Sequence, residues 1–345
     1  MIERTLDAYL SSFCNDGDVE KSHIADTVRA LGDAAVKVRH AANEGALGAA
    51  FAGIRGCAHE EGDDQKDLDV LADAIFLEAA RRVGVAFYAS EELDKAVRVE
   101  GGSRLAIAID PLDGSSNIDT NVSIGTIFSV LPAAADADRT FLQPGHKQLA
   151  AGFFIYGPQL ALALTLGEGT CIFVFSTQVG AFVEAYASLA IAPKTQEFAA
   201  NASNYRHWEE AVQLYVDDCV QGADGPRAKD YNMRWIASLV AEAYRILIRG
   251  GVFLYPRDAR KGYGNGRLRL VYEANPIAML VEQAGGAATD GTQRILDIAP
   301  KELHQRTPLV FGSAREVENI SRYHSDPSAI GTRNPLFGNR GLLRA

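Results

Sequence analysis

Positive charge is scarce in this chain. Its 345 residues carry 34 Lys and Arg against 44 Asp and Glu, a formal net charge of −10. A basic face that would hold a nucleic acid or an anionic membrane is therefore not expected. Anionic small molecules stay open, because a few local cations or a bound metal reverse the field nearby. Cysteine is also sparse. Cys14, Cys57, Cys171 and Cys219 are scattered without metal-ligand or redox spacing, which fits reduced thiols in a cytoplasmic protein. The seven histidines form no close pair, which argues against a zinc hydrolase. Gly-x-Ser-x-Gly and Walker A patterns are missing, and the acidic pattern does not match an EF-hand loop. No secretory leader is read in MIERTLDAYL, which carries Glu3, Arg4 and Asp7. The longest uncharged stretch, Gln148 to Gly167, is broken by Gly157-Pro158-Gln159 into strand-sized halves, so no membrane span is expected.

What is present is an ordinary globular composition, 47% hydrophobic and 23% charged, on a chain long enough for two domains. Periodicity predicts helices over 19–50 and 67–83, and strands at 85–89, 105–110, 122–131, 150–156, 160–166 and 171–175. A polar stretch at 192–204 suggests a domain boundary. Beyond it come helical segments at 207–220 and 232–249, a strand at 251–256, and a Gly-rich basic loop, RDARKGYGNGR (257–267). A further helix opens at Asn275 with Pro276 in its first turn. The segment after His324, rich in Gly, Asn and Arg, reads as a poorly ordered tail. Strands and helices mix throughout, so the class is α/β or α+β.

Carboxylates gather at the ends of these elements. Asp63 and Asp64 precede the helix that contains Asp69, Glu91 and Glu92 follow a strand, and Glu273 follows LRLVY. Most telling is DPLDGSSNID (110–119), wedged between the apolar runs LAIAI and VSIGTIFSV. Burying Asp110 and Asp113 beside a core is costly unless a positive group meets them. Pro111 stiffens the turn and Gly114 permits a sharp bend. The two carboxylates with the Leu112 carbonyl form an oxygen-only ligand set, suited to Mg²⁺ or Mn²⁺. Gly114, Ser115 and Ser116 then offer backbone N–H groups to a phosphate. A solvated turn with an Asx cap is the competing reading of the same residues.

DPLDGSSNID with VSIGTIF, together with GRLRLVYEANPIAMLVEQAGG (266–286), resembles class I fructose-1,6-bisphosphatase. The likeness runs from about residue 20 to 324 and takes in DLDVLAD (67–73), SEE (90–92), LQPG (142–145), GGVFLYP (250–256) and RILDIAP (294–300). The resemblance implies a layered α/β/α/β/α sandwich, with a metal-binding half to about residue 190 and a substrate-binding half beyond. It implies Mg²⁺ (Mn²⁺ as an alternative), two to three ions per subunit, on Glu91, Asp110, Asp113, Glu273 and the Leu112 carbonyl. Asp63, Asp69 and Glu92 match residues that activate water and order a mobile loop. Gly114, Ser115 and Ser116, aided by Arg269, match the cradle of the 1-phosphate. Asn201, Tyr255 and Arg267 match the 6-phosphate pocket, and Arg234 an arginine arriving from a neighbouring subunit of a homotetramer. Arg267 stands where a lysine is usual, Trp235 where a tyrosine is usual, and Asn204 in place of a further tyrosine. The implied reaction is hydrolysis of the 1-phosphate of fructose 1,6-bisphosphate, in gluconeogenesis or the Calvin cycle. The alternatives are action on sedoheptulose 1,7-bisphosphate, or a non-catalytic sugar-phosphate sensor on the same fold.

Overall fold

The computed structural model describes residues 4–14, 17–53 and 63–325, with the side chains of 44–53 and 63–67 outside the description. The expected tail and Cys57 also lie outside the described residues. Three helices come first: α1 (Leu6–Phe13), α2 (Val19–Gly53) and α3 (Asp63–Val83). They cover one face of an eight-stranded sheet. Its strands are β1 (Phe87–Ser90), β2 (Val97–Arg98), β3 (Leu105–Asp113), β4 (Ile124–Pro132), β5 (Ala150–Tyr156), β6 (Leu160–Thr165), β7 (Cys171–Ser176) and β8 (Ala181–Tyr186), in the order 2-1-3-4-5-6-7-8. A short helix, α4 (Ala137–Phe141), follows β4. β1 runs parallel to β3, and the other neighbours are antiparallel.

The second half begins with β9 (Glu197–Ala200), α5 (Glu210–Val220), β10 (Asn232–Met233), α6 (Leu239–Arg249) and β11 (Val252–Tyr255). It continues through β12 (Leu268–Arg269), α7 (Asn275–Gln283), β13 (Ala287–Thr289), β14 (Arg306–Thr307), β15 (Leu309–Gly312) and α8 (Ala314–Ser325). Five of its strands form a mixed sheet in the order 10-9-11-15-13, and β12 pairs with β14. The strand β9 was not expected from sequence. Its run of four residues is short and opens on Glu197, whose charge is taken up by Arg245 at 2.8 Å. The helix expected over 232–249 begins only at Leu239, because Asn232–Met233 pair with β9 and Ser238 caps the helix start.

Alternation along the strands assigns the layers. Phe128 and Phe154 point into the core shared with Leu31 and Phe76 of the first helices. Their neighbours Ile127 and Phe153 point the other way, onto Val240 of α6 and Ile277 and Leu280 of α7. Phe253 of β11 meets that same helical layer from beyond, while Val252 and Leu254 face Val212 of α5 and Ile320 of α8. The result is an α/β/α/β/α sandwich in which α6 and α7 serve both sheets.

Gly125 sets how closely that middle layer approaches. A Cβ there would lie 2.3 Å from the Phe154 carbonyl oxygen and 2.5 Å from a Val240 methyl. Gly125→Ala is expected to lower stability by about 1–3 kcal/mol through overpacking, read as a reduced thermal midpoint. An unchanged midpoint would show that the helix yields freely.

Candidate active site

The site grows from the last residues of β3. Asp110 lies opposite Ile127 and Asp113 opposite Gly125, so Pro111 and Leu112 share the single residue Thr126. This is a β-bulge, which bends a strand and re-aims its side chains. Proline suits it, having no N–H to lose from the ladder. The Pro111 carbonyl accepts the Thr126 hydroxyl at 2.8 Å, and Tyr156 Oη lies 2.7 Å from that hydroxyl. The Leu112 N–H donates to Asp110 Oδ1 at 3.1 Å. Gly114, at φ +77°, then turns the chain into a short 3₁₀ turn, Ser115–Asn117.

Asp113 reaches into the other half of the molecule. Its Oδ2 accepts the Val240 N–H at 3.1 Å, in the first turn of α6. Unpaired N–H groups and the positive end of the helix dipole thus face this carboxylate. Asn117 makes a second tie nearby, donating from Nδ2 to the Ala237 carbonyl at 2.8 Å.

Glu273 differs from its expected place at a strand end. The strand stops at Arg269, and Leu270–Ala274 form a π-helical turn that runs straight into α7. The wider turn is a local irregularity of the kind found at functional sites. Glu273 Oε2 accepts the Arg269 N–H at 2.5 Å.

One carboxylate oxygen each from Asp110, Asp113 and Glu273 lies within 4.8 Å of the others, and all three residues are buried. Burial, then Glu91 and the neighbouring acids, pushes Asp110 and Glu273 well above the usual carboxylate range. Burial also pushes Asp113 up to about 7, opposed by the Val240 N–H. Three acids packed like this disfavour their charged forms. The oxygen-only donor set suits a hard divalent ion.

A ring of charge surrounds the trio. Glu91 Oε1 accepts from Arg269 Nε at 3.1 Å, and Arg269 Nη1 donates to the His304 carbonyl at 3.1 Å. Glu92 is raised by burial and then by Glu91. Asp69 is raised to about 7 by burial and then by Glu92, with the Ser115 hydroxyl opposing. Among the described residues, Asp69 Oδ1 is buried without a hydrogen-bond partner. The structure therefore brings together Asp69, Glu91, Glu92, Asp110, Leu112, Asp113, Ser115, Arg269 and Glu273. The side chain of Asp63 lies outside the described residues.

Asn201, Tyr255 and Arg267 line one small pocket with Asn204, Trp208 and Asp258. Sequence reasoning missed Trp208 and Asp258. An isolated β-bridge between them closes this wall, and such long-range pairing has no local signal. Tyr255 stacks on Trp235 with ring centres 6.1 Å apart. Arg234 does not line this pocket. Its Nε lies 3.8 Å from Glu197 Oε1, and its side chain is 52% exposed, leaving it reachable from outside.

Residues 16–187 match the N-terminal domain family of fructose-1-6-bisphosphatase, and residues 191–325 match its C-terminal domain family. The chain is 63% identical over 345 residues to the class 1 fructose-1,6-bisphosphatase of Rhizobium meliloti (strain 1021), covering 99% of each. It is 49% identical to a class 1 fructose-1,6-bisphosphatase of Cereibacter sphaeroides (strain ATCC 17025 / ATH 2.4.3), over 97% of this chain and all of that one. The solved fructose-1,6-bisphosphatase of Leishmania major in holo form superposes with a TM-score of 0.82 at 31% identity, covering 94% of this chain and 99% of that one. Its T-state structure gives 0.84 at 30% identity, with the same two coverages.

The buried acids predict a pH dependence with a definite sign. Their protons leave near pH 4 in the unfolded chain but, for Asp113, only near 7 in the fold. The folded state then holds more protons, so stability of the cation-free protein falls as pH rises between those values. A divalent cation displaces the protons and removes that loss. Addition of Mg²⁺ is expected to raise the thermal midpoint strongly at pH 8 and little at pH 5. An equal rise at both would contradict binding at these carboxylates.

Proposed function

The chain belongs to the class 1 fructose-1,6-bisphosphatase family and hydrolyses the 1-phosphate of fructose 1,6-bisphosphate; we propose that the acidic centre around Asp113 does this with Mg²⁺. One observation carries the proposal: the buried carboxylates of Asp110 and Asp113, from one turn, and of Glu273, from far along the chain, converge within 4.8 Å. Such a cluster disfavours its own charge unless a cation neutralises it.

Glu91, Asp110, Asp113 and Glu273, with the Leu112 carbonyl, would hold two to three ions per subunit, Mg²⁺ or Mn²⁺. Held by these residues, such ions would supply charge neutralisation of the phosphate dianion, a more acidic attacking water and support for the leaving oxygen. Asp69 and Glu92 sit beside the trio with proton affinities raised first by burial, which suits groups that accept a proton during the reaction. Asp63, whose side chain lies outside the described residues, joins this set only through the family resemblance. The N–H groups of Ser115 and Ser116, after Gly114, cradle the 1-phosphate, with Arg269 as its counter-charge. Asn201, Tyr255 and Arg267 hold the distal phosphate. Asn201 already uses Oδ1 to accept the Ser203 N–H at 3.3 Å, which leaves its Nδ2 donors facing outward from that bond. The metal-binding unit ends near residue 190 and the substrate unit follows.

We further propose a cytoplasmic homotetramer in which Arg234 crosses a subunit interface to the distal phosphate. Mixing Asp113→Ala subunits with Arg234→Ala subunits is then expected to give hybrids more active than either parent. A fully active monomer, or hybrids no better than the parents, would overturn the shared site.

The acidic centre has its own test. Asp113→Ala or Glu273→Ala is expected to reduce phosphate release at least a thousandfold while the circular dichroism stays native. Glu92→Gln should lower kcat by roughly 10²–10⁴ with KM little changed, as for a group acting in proton transfer. Near-normal turnover of either alanine variant at ordinary Mg²⁺ would remove the assignment. Running sedoheptulose 1,7-bisphosphate beside fructose 1,6-bisphosphate in the same assay decides sugar preference.

A further inference from the structure

Arg267 faces a problem of placement. It lines the distal pocket, yet its residue is exposed. An exposed arginine samples many rotamers, and ordering one on binding costs free energy. In this chain the loop before it supplies a brace. The Arg267 guanidinium carbon lies 4.7 Å from the centre of the Tyr263 ring, and that of Arg260 lies over the same ring at 4.8 Å. Arg260 is itself fixed. Its Nε lies 3.1 and 3.0 Å from the two Asp258 oxygens, its Nη2 makes a further short bond to Oδ2, and its backbone N–H donates to Oδ1 at 2.9 Å. The loop backbone closes around the ring: Tyr263 N–H donates to the Arg260 carbonyl at 3.0 Å, and Asp258 N–H to the Tyr263 carbonyl at 3.2 Å. Asp258 is buried against the pocket wall, where its charge would repel an anion, and Arg260 cancels it.

We propose that Tyr263 is a positioning residue, whose ring face, held by Arg260 and Asp258, pre-orders the Arg267 guanidinium for the distal phosphate of the sugar bisphosphate. The inference rests on the reading of that pocket as the distal-phosphate site. The physical content is a cation–π contact that removes rotamer freedom before binding. It bears on binding of the end of the substrate remote from the chemistry, so it acts on KM.

The test is steady-state kinetics on the intact protein with fructose 1,6-bisphosphate and Mg²⁺. Tyr263→Leu is expected to raise KM roughly three- to tenfold, the range of a cation–π contact plus one ordered side chain, with kcat within twofold. Tyr263→Phe keeps the ring and is expected to keep KM. In an Arg267→Ala background, Tyr263→Leu should add no further rise, because the brace then has nothing to hold. A fall in kcat at constant KM, a Phe variant as impaired as Leu, or a full Leu effect without Arg267 would each overturn the proposal. A wild-type KM in Tyr263→Leu would do the same. Failure of the wild-type protein to release phosphate from the sugar would instead refute the underlying function, before any variant is compared.

Discussion

The hydrogen bond from the first turn of α6 to Asp113 organises this molecule. It joins a carboxylate on a bulged strand of the first sheet to a helix that packs on the second. A buried carboxylate needs donors, and a helix start has N–H groups to give. Each solves the other's problem. Gly125, opposite Asp113 in the ladder, lets Val240 come close enough for the bond to form. Move the helix outward and the carboxylate loses its donor while the middle layer loses contact with β4 and β5.

The same logic explains the acids that gather around it. Arg269 forms an ion pair with Glu91 at 3.1 Å, and its backbone serves Glu273. One arginine cannot neutralise the surrounding carboxylates, and burial, then repulsion from neighbouring acids, raises the proton affinities of Asp110, Asp113 and Glu273. The centre is thus electrostatically incomplete as protein alone. A hard divalent cation among these oxygens would complete it.

Much of this was legible in the sequence, and the reasons are local. Asp110, Asp113 and the turn after them fall within a few residues, and the flanking strands are short apolar runs that read as buried. Asp69, Glu91 and Glu92 fall at ends of periodic runs, where a sheet or helix presents side chains to a cleft. Glu273 was legible as a residue but not as a conformation, since a π turn has no distinctive side-chain pattern. The Asp113 bond to Val240 spans 127 positions and leaves no local trace. Tyr263 sat in a segment that reads only as Gly-rich and basic. Its meeting with two arginines follows from how that loop closes, which spacing alone does not specify.

The middle layer carries a consequence for synthesis on the ribosome. Both of its helices begin at the acidic centre, α6 at Asp113 and α7 through the turn bearing Glu273. A nascent chain that has emerged only as far as the first sheet possesses Asp110 and Asp113 but neither the helix end nor the third carboxylate. Domains fold as they emerge, N-terminal part first, yet here one face of the first sheet stays uncovered until α6 and α7 arrive. The finished fold and the finished reaction centre therefore appear in the same step. A truncated product released earlier would expose a wide apolar sheet face rather than a partly working enzyme, and so would be marked for disposal by its own stickiness.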